Sequence, residues 1–365
     1  MPVKNITFLL DRLEHGGPVK EADIASLLDL SDPEGIRLLF EAAARVRDRH
    51  FDNRVFLYGF LYFSTFCRNN CRFCQYRRSN TEFARYRKTP DEIFTAAVQM
   101  ADLGVHLIDL TMGEDPDWHE KGEDGFSQLV DLVQQVRQET GLPVMISPGV
   151  LPDAVLEQMG RSGVDWYACY QETHNRQLYA SLRSGQDFDE RLSKKQLAKD
   201  TGMLVEEGLL TGVGETSLDL ARSILWMKSF PVDQARVMTF VPQPGTPMAK
   251  ASAQDSLREL ITISVMRLVI QDCLIPASLD VDGLDGLEDR LAAGANVVTS
   301  IVPPEQGLAG VANHSLDIED SRRNLDHILP VLERLGLAPA TAKEYQDWVY
   351  RRKSKRPLVC QAKAC

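Results

Sequence analysis

At 365 residues the chain can form two average domains or one large α/β barrel, and 44% hydrophobic with 25% charged residues supplies a sizeable core and argues against a chain disordered throughout. A formal net charge of -11 argues against a phosphate-rich partner, because nucleic-acid binding relies on clustered Lys and Arg, and favours a small-molecule substrate. No apolar run reaches the roughly 18 residues of a membrane span, the opening MPVKNITFLLDRLEHG lacks the pattern of a secretory signal, and seven unevenly spaced cysteines make a poor disulfide framework. The expectation is a cytoplasmic protein with neither a nucleic-acid nor a membrane partner.

Residues 1–54 read as an N-terminal helical extension, because LLDRL, EADIASLLDL and EGIRLLFEAAARVRDRHF repeat apolar residues at three- and four-residue spacing. Asp32 and Pro33 read as the cap and first position of the third helix. From Val55 the period changes. Candidate strands follow at 55–64, 106–113, 143–149, 165–173, 209–214, 235–242, 275–280 and 296–303, separated by helical patterns such as TPDEIFTAAVQMADLG and ERLSKKQLAKDTGMLVEEG. Eight strand-helix units predict an α/β fold, a closed (β/α)8 TIM-type barrel over 55–310, with an open doubly wound sheet as the alternative. C-terminal helices are expected over 311–350 and a basic mobile tail over 351–365, whose RRKSKR run reads as a solvated terminus.

Immediately after the first strand, FSTFCRNNCRFCQY places Cys67, Cys71 and Cys74 in a C-x3-C-x2-C arrangement. Three thiolates on one loop can hold three irons of a [4Fe-4S] cluster and leave the fourth open to an outside ligand. A structural zinc site normally completes four ligands, and no second cysteine pair or suitably spaced His follows; buried free cysteines are the remaining alternative.

In a parallel barrel, polar residues at the C-terminal strand ends face the active site. Asp109, Arg236, Ser278 and Asp280 lie far apart in sequence yet fall on predicted strands. One cation with a hydroxyl suits a carboxylate, and two anions suit ammonium groups, which describes a seat for a diamino acid; the alternative is an internal Arg–Asp ion-pair network.

The cysteine spacing, with an aromatic residue, Phe73, just before the third cysteine, resembles the radical S-adenosylmethionine superfamily. The resemblance implies that the methionyl amine and carboxylate of S-adenosylmethionine chelate the open iron and that one electron splits the cofactor into methionine and a 5'-deoxyadenosyl radical. Met112, Gly113 and Glu114 resemble the superfamily's Gly-Gly-Glu element, with Met in place of the first Gly, a change tolerable where the contact uses backbone carbonyls. Ser147, Glu172 and Arg191 match in kind and order the cofactor-binding residues of the branch that contains biotin synthase. Within that branch the segments NRVFLYGFLYFSTFC, DLTMGEDP, RVMTFVPQPGTP and AGANVVTSIVPP resemble the 3-methylornithine synthases of pyrrolysine biosynthesis. That family rearranges L-lysine into (3R)-3-methyl-D-ornithine by fragmenting and rejoining the carbon skeleton. The resemblance implies that Arg236 and Ser278 hold the substrate carboxylate, that Asp109 and Asp280 hold the amines, and that a ferredoxin or flavodoxin supplies the electron.

Cys169 and Cys273 read as core residues, Cys360 and Cys365 as tail residues, and the seven histidines show no metal spacing. Gly212 and Gly214 read as a barrel end near the adenosine. Two rival functions remain: a maturase-like enzyme acting on another small amino acid or thiol, and a non-catalytic iron-sulfur carrier.

Overall fold

The computed structural model describes residues 3–312 and 322–355, so Cys360, Cys365 and the end of the expected tail lie outside the described residues. Three helices come first: α1 (Val3–Glu14), α2 (Glu21–Leu28) and α3 (Pro33–Phe51). The start of α3 follows from its sequence, since the Asp32 carboxylate accepts the Gly35 N–H at 2.8 Å and Pro33 occupies the first turn. Strands and helices then alternate as β1 (Arg54–Ser64), α4 (Pro90–Asp102), β2 (Leu107–Met112), α5 (Pro116–Glu120), α6 (Gly122–Thr140), β3 (Val144–Ser147), α7 (Asp153–Arg161) and β4 (Trp166–Ala168). The second half continues with α8 (Arg176–Leu182), α9 (Phe188–Asp200), β5 (Leu204–Thr211), α10 (Ser217–Ser229), β6 (Gln234–Thr239), α11 (Leu257–Val269), β7 (Pro276–Ser278), α12 (Leu287–Ala292) and β8 (Val297–Ile301). After these come α13 (Leu325–Arg334), a two-residue strand β9 (Ala338–Pro339) beside β1, and α14 (Ala342–Ser354).

The strand order β6-β5-β4-β3-β2-β1-β8-β7, all parallel, is a barrel one seam short of closure. The closed barrel expected from sequence is corrected there. Among the described residues β6 and β7 meet through one isolated bridge at their lower ends, Gln234 to Leu274, where the Ala235 N–H reaches the Leu274 carbonyl at 2.9 Å. Above it β7 is only three residues long and begins with Pro276, which has no N–H to give a neighbouring strand.

Two further boundaries differ from expectation. Residues 204–208, read as the end of the helical pattern ERLSKKQLAKDTGMLVEEG, belong to β5, and both Glu206 and Glu207 are fully buried. The fourth strand stops at Ala168, and Gln171–Thr173 continue beyond it through an isolated bridge between Glu172 and Leu209.

Residues 351–354, expected in a mobile tail, instead finish α14, which floors the barrel. Tyr345 joins its hydroxyl to that of Tyr58 at 2.8 Å, and Trp348 stacks on Trp166 with ring planes 4° apart. Arg352 pairs with Asp233 at 2.9 Å and Asp272 at 2.6 Å, and Lys353 with Asp165 at 2.8 Å. The other carboxylate oxygens of Asp165 and Asp233 accept the N–H groups of Val144 and Val205, so the same aspartates satisfy the lower strand ends and recruit the basic helix. Helices α1 to α3 pack on the outer layer, α2 against α10 and α3 against α11. Among the described residues no helix is long and apolar enough to cross a membrane.

Candidate active site

β1 delivers the chain at Ser64 into a loop without regular structure that returns to pair with the strand end through Arg87. Four of its backbone carbonyls are satisfied by one side chain: Arg85 donates to Thr65, Tyr76, Arg77 and Asn80 at 2.5 to 3.1 Å. Cys67, Cys71 and Cys74 on this loop line a cavity of about 210 Å³ at the C-terminal strand ends, together with Phe73, Met112, Gly113 and Glu114. Burial pushes the Cys67 thiol up to about 11 and raises Cys74 well above the usual thiol range. Cys71 Sγ accepts hydrogen bonds from Gln186 at 3.0 Å and Arg183 at 3.5 Å, and Cys67 Sγ from the Asn69 N–H at 3.5 Å.

The donor set fits an iron-sulfur cluster. Three thiols from one loop line one cavity, and N–H groups aim at two of the sulfurs.

Gly113 is required by the approach of the cysteine loop: a Cβ there would lie 2.2 Å from the Phe66 carbonyl oxygen and 2.8 Å from Cys67 Cβ. Gly113→Ala is expected to displace Cys67, so that reconstituted protein retains its far-UV circular dichroism but binds less than half the iron of the wild type. Equal iron content in the two proteins would refute this. One residue further on, the Glu114 carboxylate accepts from Arg68 at 3.0 Å, Val150 N–H at 3.0 Å and Arg191 at 3.3 Å. Burial alone would raise Glu114; the guanidinium of Arg191 and the backbone donor outweigh it and hold the carboxyl below its usual range. Gly149, at φ 74°, makes room for that carboxylate, since a Cβ there would sit 2.3 Å from Glu114 Cγ.

Glu172 lines the cavity in the left-handed region at φ 65°, a strained state for a non-glycine residue. Backbone bonds to β5 hold it, from its own N–H to Gly208 at 2.9 Å and from Leu210 N–H to its carbonyl at 3.0 Å. Behind the sheet, Glu207 accepts the Gln171 N–H at 2.7 Å and pairs with Lys195 at 2.6 Å. The Glu172 carboxylate receives Arg183 at 2.6 Å; burial raises its pKa against that pairing. Arg191, in a stretch that reads as an exposed helix, is buried and also donates to the Tyr170 carbonyl at 2.8 Å.

The predicted substrate residues gather only in part. Arg236 on β6 and Asp109 on β2 both line the cavity. Arg236 gives Nε to Glu206 at 2.7 Å and Nη1 to Thr299 at 3.0 Å, leaving Nη2 buried without a partner. Asp109 receives the Ser147 hydroxyl on Oδ1 at 2.7 Å, and Oδ2 has no partner. Burial, then the nearby Glu206 carboxylate, push Asp109 up to about 7. Asp280 lines the cavity but is already paired with Arg323 at 2.8 Å and the Tyr62 hydroxyl at 3.0 Å. Ser278 is buried with its hydroxyl accepting the Asp280 N–H at 3.3 Å, and it is not part of the cavity wall. Gly212 and Gly214 are likewise outside the wall. Cys169 is buried, as expected of a core residue, and touches the cavity; Cys273 is buried away from it.

Sequence reasoning missed Glu206, Arg183, Gln186 and Arg323. The only available signal was the Glu206–Glu207 pair, which alternates across β5 so that one carboxylate enters the barrel and the other faces the helices. A strap over 302–312 crosses the mouth, held where Ala309 O accepts from Tyr76 at 2.7 Å and Ala312 O from Gln243 at 3.0 Å.

A parallel barrel whose first strand leads into a three-cysteine loop, with a cavity of largely apolar wall and a few charged groups beside it, is the arrangement of the radical S-adenosylmethionine enzymes, and the profile of the Radical SAM superfamily matches residues 61–227. The chain is 43% identical to the 3-methylornithine synthase of Methanosarcina acetivorans over 92% of this chain and 95% of that protein. It is 30% identical to the [FeFe] hydrogenase maturase subunit HydE of Thermotoga maritima over 80% and 82%. The crystal structure of a methylornithine synthase (PylB) superposes with a TM-score of 0.87 at 44% identity, covering 93% of this chain and 99% of that one. The chain belongs to the 3-methylornithine synthase family of the radical SAM superfamily.

Proposed function

We infer that the protein is a radical S-adenosylmethionine mutase that isomerises L-lysine to (3R)-3-methyl-D-ornithine in pyrrolysine biosynthesis. What carries the reading is the pairing of 43% identity along nearly the whole chain with a cavity that offers one buried, unpartnered guanidinium nitrogen, on Arg236, and one buried, unpartnered carboxylate oxygen, on Asp109. When bound, the [4Fe-4S] cluster and S-adenosylmethionine supply the radical that takes a hydrogen from the substrate.

In this reading Cys67, Cys71 and Cys74 hold the cluster, with Phe73 packed beside it. The backbone at Met112 and Gly113, with Glu114, Ser147, Glu172 and Arg191, binds S-adenosylmethionine: Arg191 faces the methionyl carboxylate, and the acids face the amine and ribose. Arg236 takes the lysine carboxylate on Nη2, and Asp109 takes an ammonium group on Oδ2. Asp280 offers a second ammonium seat, kept in register by Tyr62 and Arg323, while Ser278 supports the turn that carries it. The apolar wall of Phe60, Phe73, Met238 and Phe240, closed over by Val311 and Ala312, excludes water and keeps two carbon fragments in place until they rejoin. Residues 55–310 form the catalytic barrel, a low-potential ferredoxin or flavodoxin provides the electron, and the reducing cytoplasm is the compartment that suits such a centre.

Anaerobic protein loaded with iron and sulfide, given dithionite, S-adenosylmethionine and uniformly labelled L-lysine, is expected to yield a branched isomer of unchanged mass. Formation of 5'-deoxyadenosine without that isomer would point to another substrate, and absence of both would point to a cluster carrier.

A further inference from the structure

Gln186 lies half-buried in the turn between α8 and α9 and carries no charge. Its side-chain nitrogen donates to Cys71 Sγ at 3.0 Å, closer than the Arg183 guanidinium at 3.5 Å. The amide cannot be turned round. Its oxygen accepts from Arg191 Nη1 at 3.2 Å and from Arg183 Nη1 at 3.4 Å, and a reversed amide would set its NH2 donors against two guanidiniums, which have no acceptor. The N–H is therefore committed to the sulfur.

We propose that Gln186 is a positioning residue that tunes the cluster: it stabilises the reduced state by hydrogen bonding to the Cys71 sulfur and ties that sulfur to Arg191 in the cofactor site. The inference rests on the reading that Cys67, Cys71 and Cys74 hold an iron-sulfur cluster. Reduction adds one electron, increases the negative charge on the ligating sulfurs and strengthens any N–H donor aimed at them. A fixed donor thus favours the form that must pass an electron to the cofactor, and Arg191 holds the amide oxygen at the other end. A bound carboxylate on Arg191 would be felt at the sulfur through this one side chain.

The test uses the full-length protein, reconstituted anaerobically as wild type, Gln186→Leu and Gln186→Glu, with iron content measured and the reduced cluster followed by electron paramagnetic resonance during a mediated redox titration. At the potential where the wild type is half reduced, the reduced-to-oxidised ratio in Q186L is expected to fall on the order of tenfold, the worth of one hydrogen bond to a charged group, which is about 59 mV for one electron. Q186E is expected to fall at least as far, because a carboxylate has no N–H to give and adds negative charge. Should leucine prevent loading, Gln186→Met keeps the length of the side chain and carries the same expectation. Loaded variants with the wild-type midpoint would overturn this inference alone, whereas a wild type that takes up no cluster would overturn the proposed function and this inference with it.

Discussion

Replacing Arg236 by methionine is expected to abolish lysine isomerisation and to cost about 3–5 kcal/mol of stability, the penalty for leaving one member of a buried ion pair uncompensated. Glu206 would remain fully buried with only the Tyr170 hydroxyl, at 2.9 Å, as donor. Changing Glu206 to methionine as well is expected to recover most of the stability, since apolar residues of similar volume can replace a buried ion pair. None of the turnover should return, because no donor then faces the substrate carboxylate. Thermal unfolding and the lysine assay on the same preparations separate the two effects, and turnover near the wild-type rate in either variant would remove Arg236 from the substrate seat.

Asp109 governs the second large effect. Its carboxyl titrates at about 7 because burial, and then the Glu206 carboxylate, disfavour ionisation. An ammonium seat needs the ionised form, so kcat/KM for lysine is expected to rise as pH climbs through about 7 and to level off above it. Asp109→Asn should remove that limb and lower kcat/KM on the order of 10- to 100-fold, the worth of a hydrogen bond between charged partners. Stability runs the other way. The folded pKa lies above the usual 3.8, so the folded chain binds more protons between those two values. The contribution is fully present below about 4 and is lost as pH rises to about 7. Asparagine stays neutral throughout, so D109N is expected to unfold at a higher temperature than the wild type at pH 8, with the gap closing near pH 4. A D109N protein less stable than the wild type at pH 8 would contradict the assignment.

Where the determinant was local, the sequence carried it. The cysteine loop is defined within eight residues, and Cys67, Cys71 and Cys74 do share one cavity. β1 announces itself by the near-continuous apolar run VFLYGFLYF, as a strand covered on both faces must, and Val55 to Ser64 are all buried. What escaped depends on partners distant in the chain. The acids of β5 look helical until Arg236 and Lys195 arrive from other elements to neutralise them. Arg183 and Gln186 sit in a polar turn whose composition promises only solvent, and their approach to Cys71 spans more than a hundred positions. Arg323 reaches Asp280 from beyond the barrel, which turns an aspartate expected to be free into half of a pair. The seam between β6 and β7 is a matter of strand lengths and angles that hydrophobic period does not encode.

The helix that floors the barrel is synthesised after every strand it supports. Tyr58 meets Tyr345 across 287 residues of chain, and Phe56, His106 and Trp166 likewise find their aromatic partners on this last helix. Contacts that span so much chain form slowly and leave apolar surface uncovered meanwhile. The floor of the barrel can therefore be completed only once nearly the whole described chain has been made, because α14 (Ala342–Ser354) is the last element of the fold.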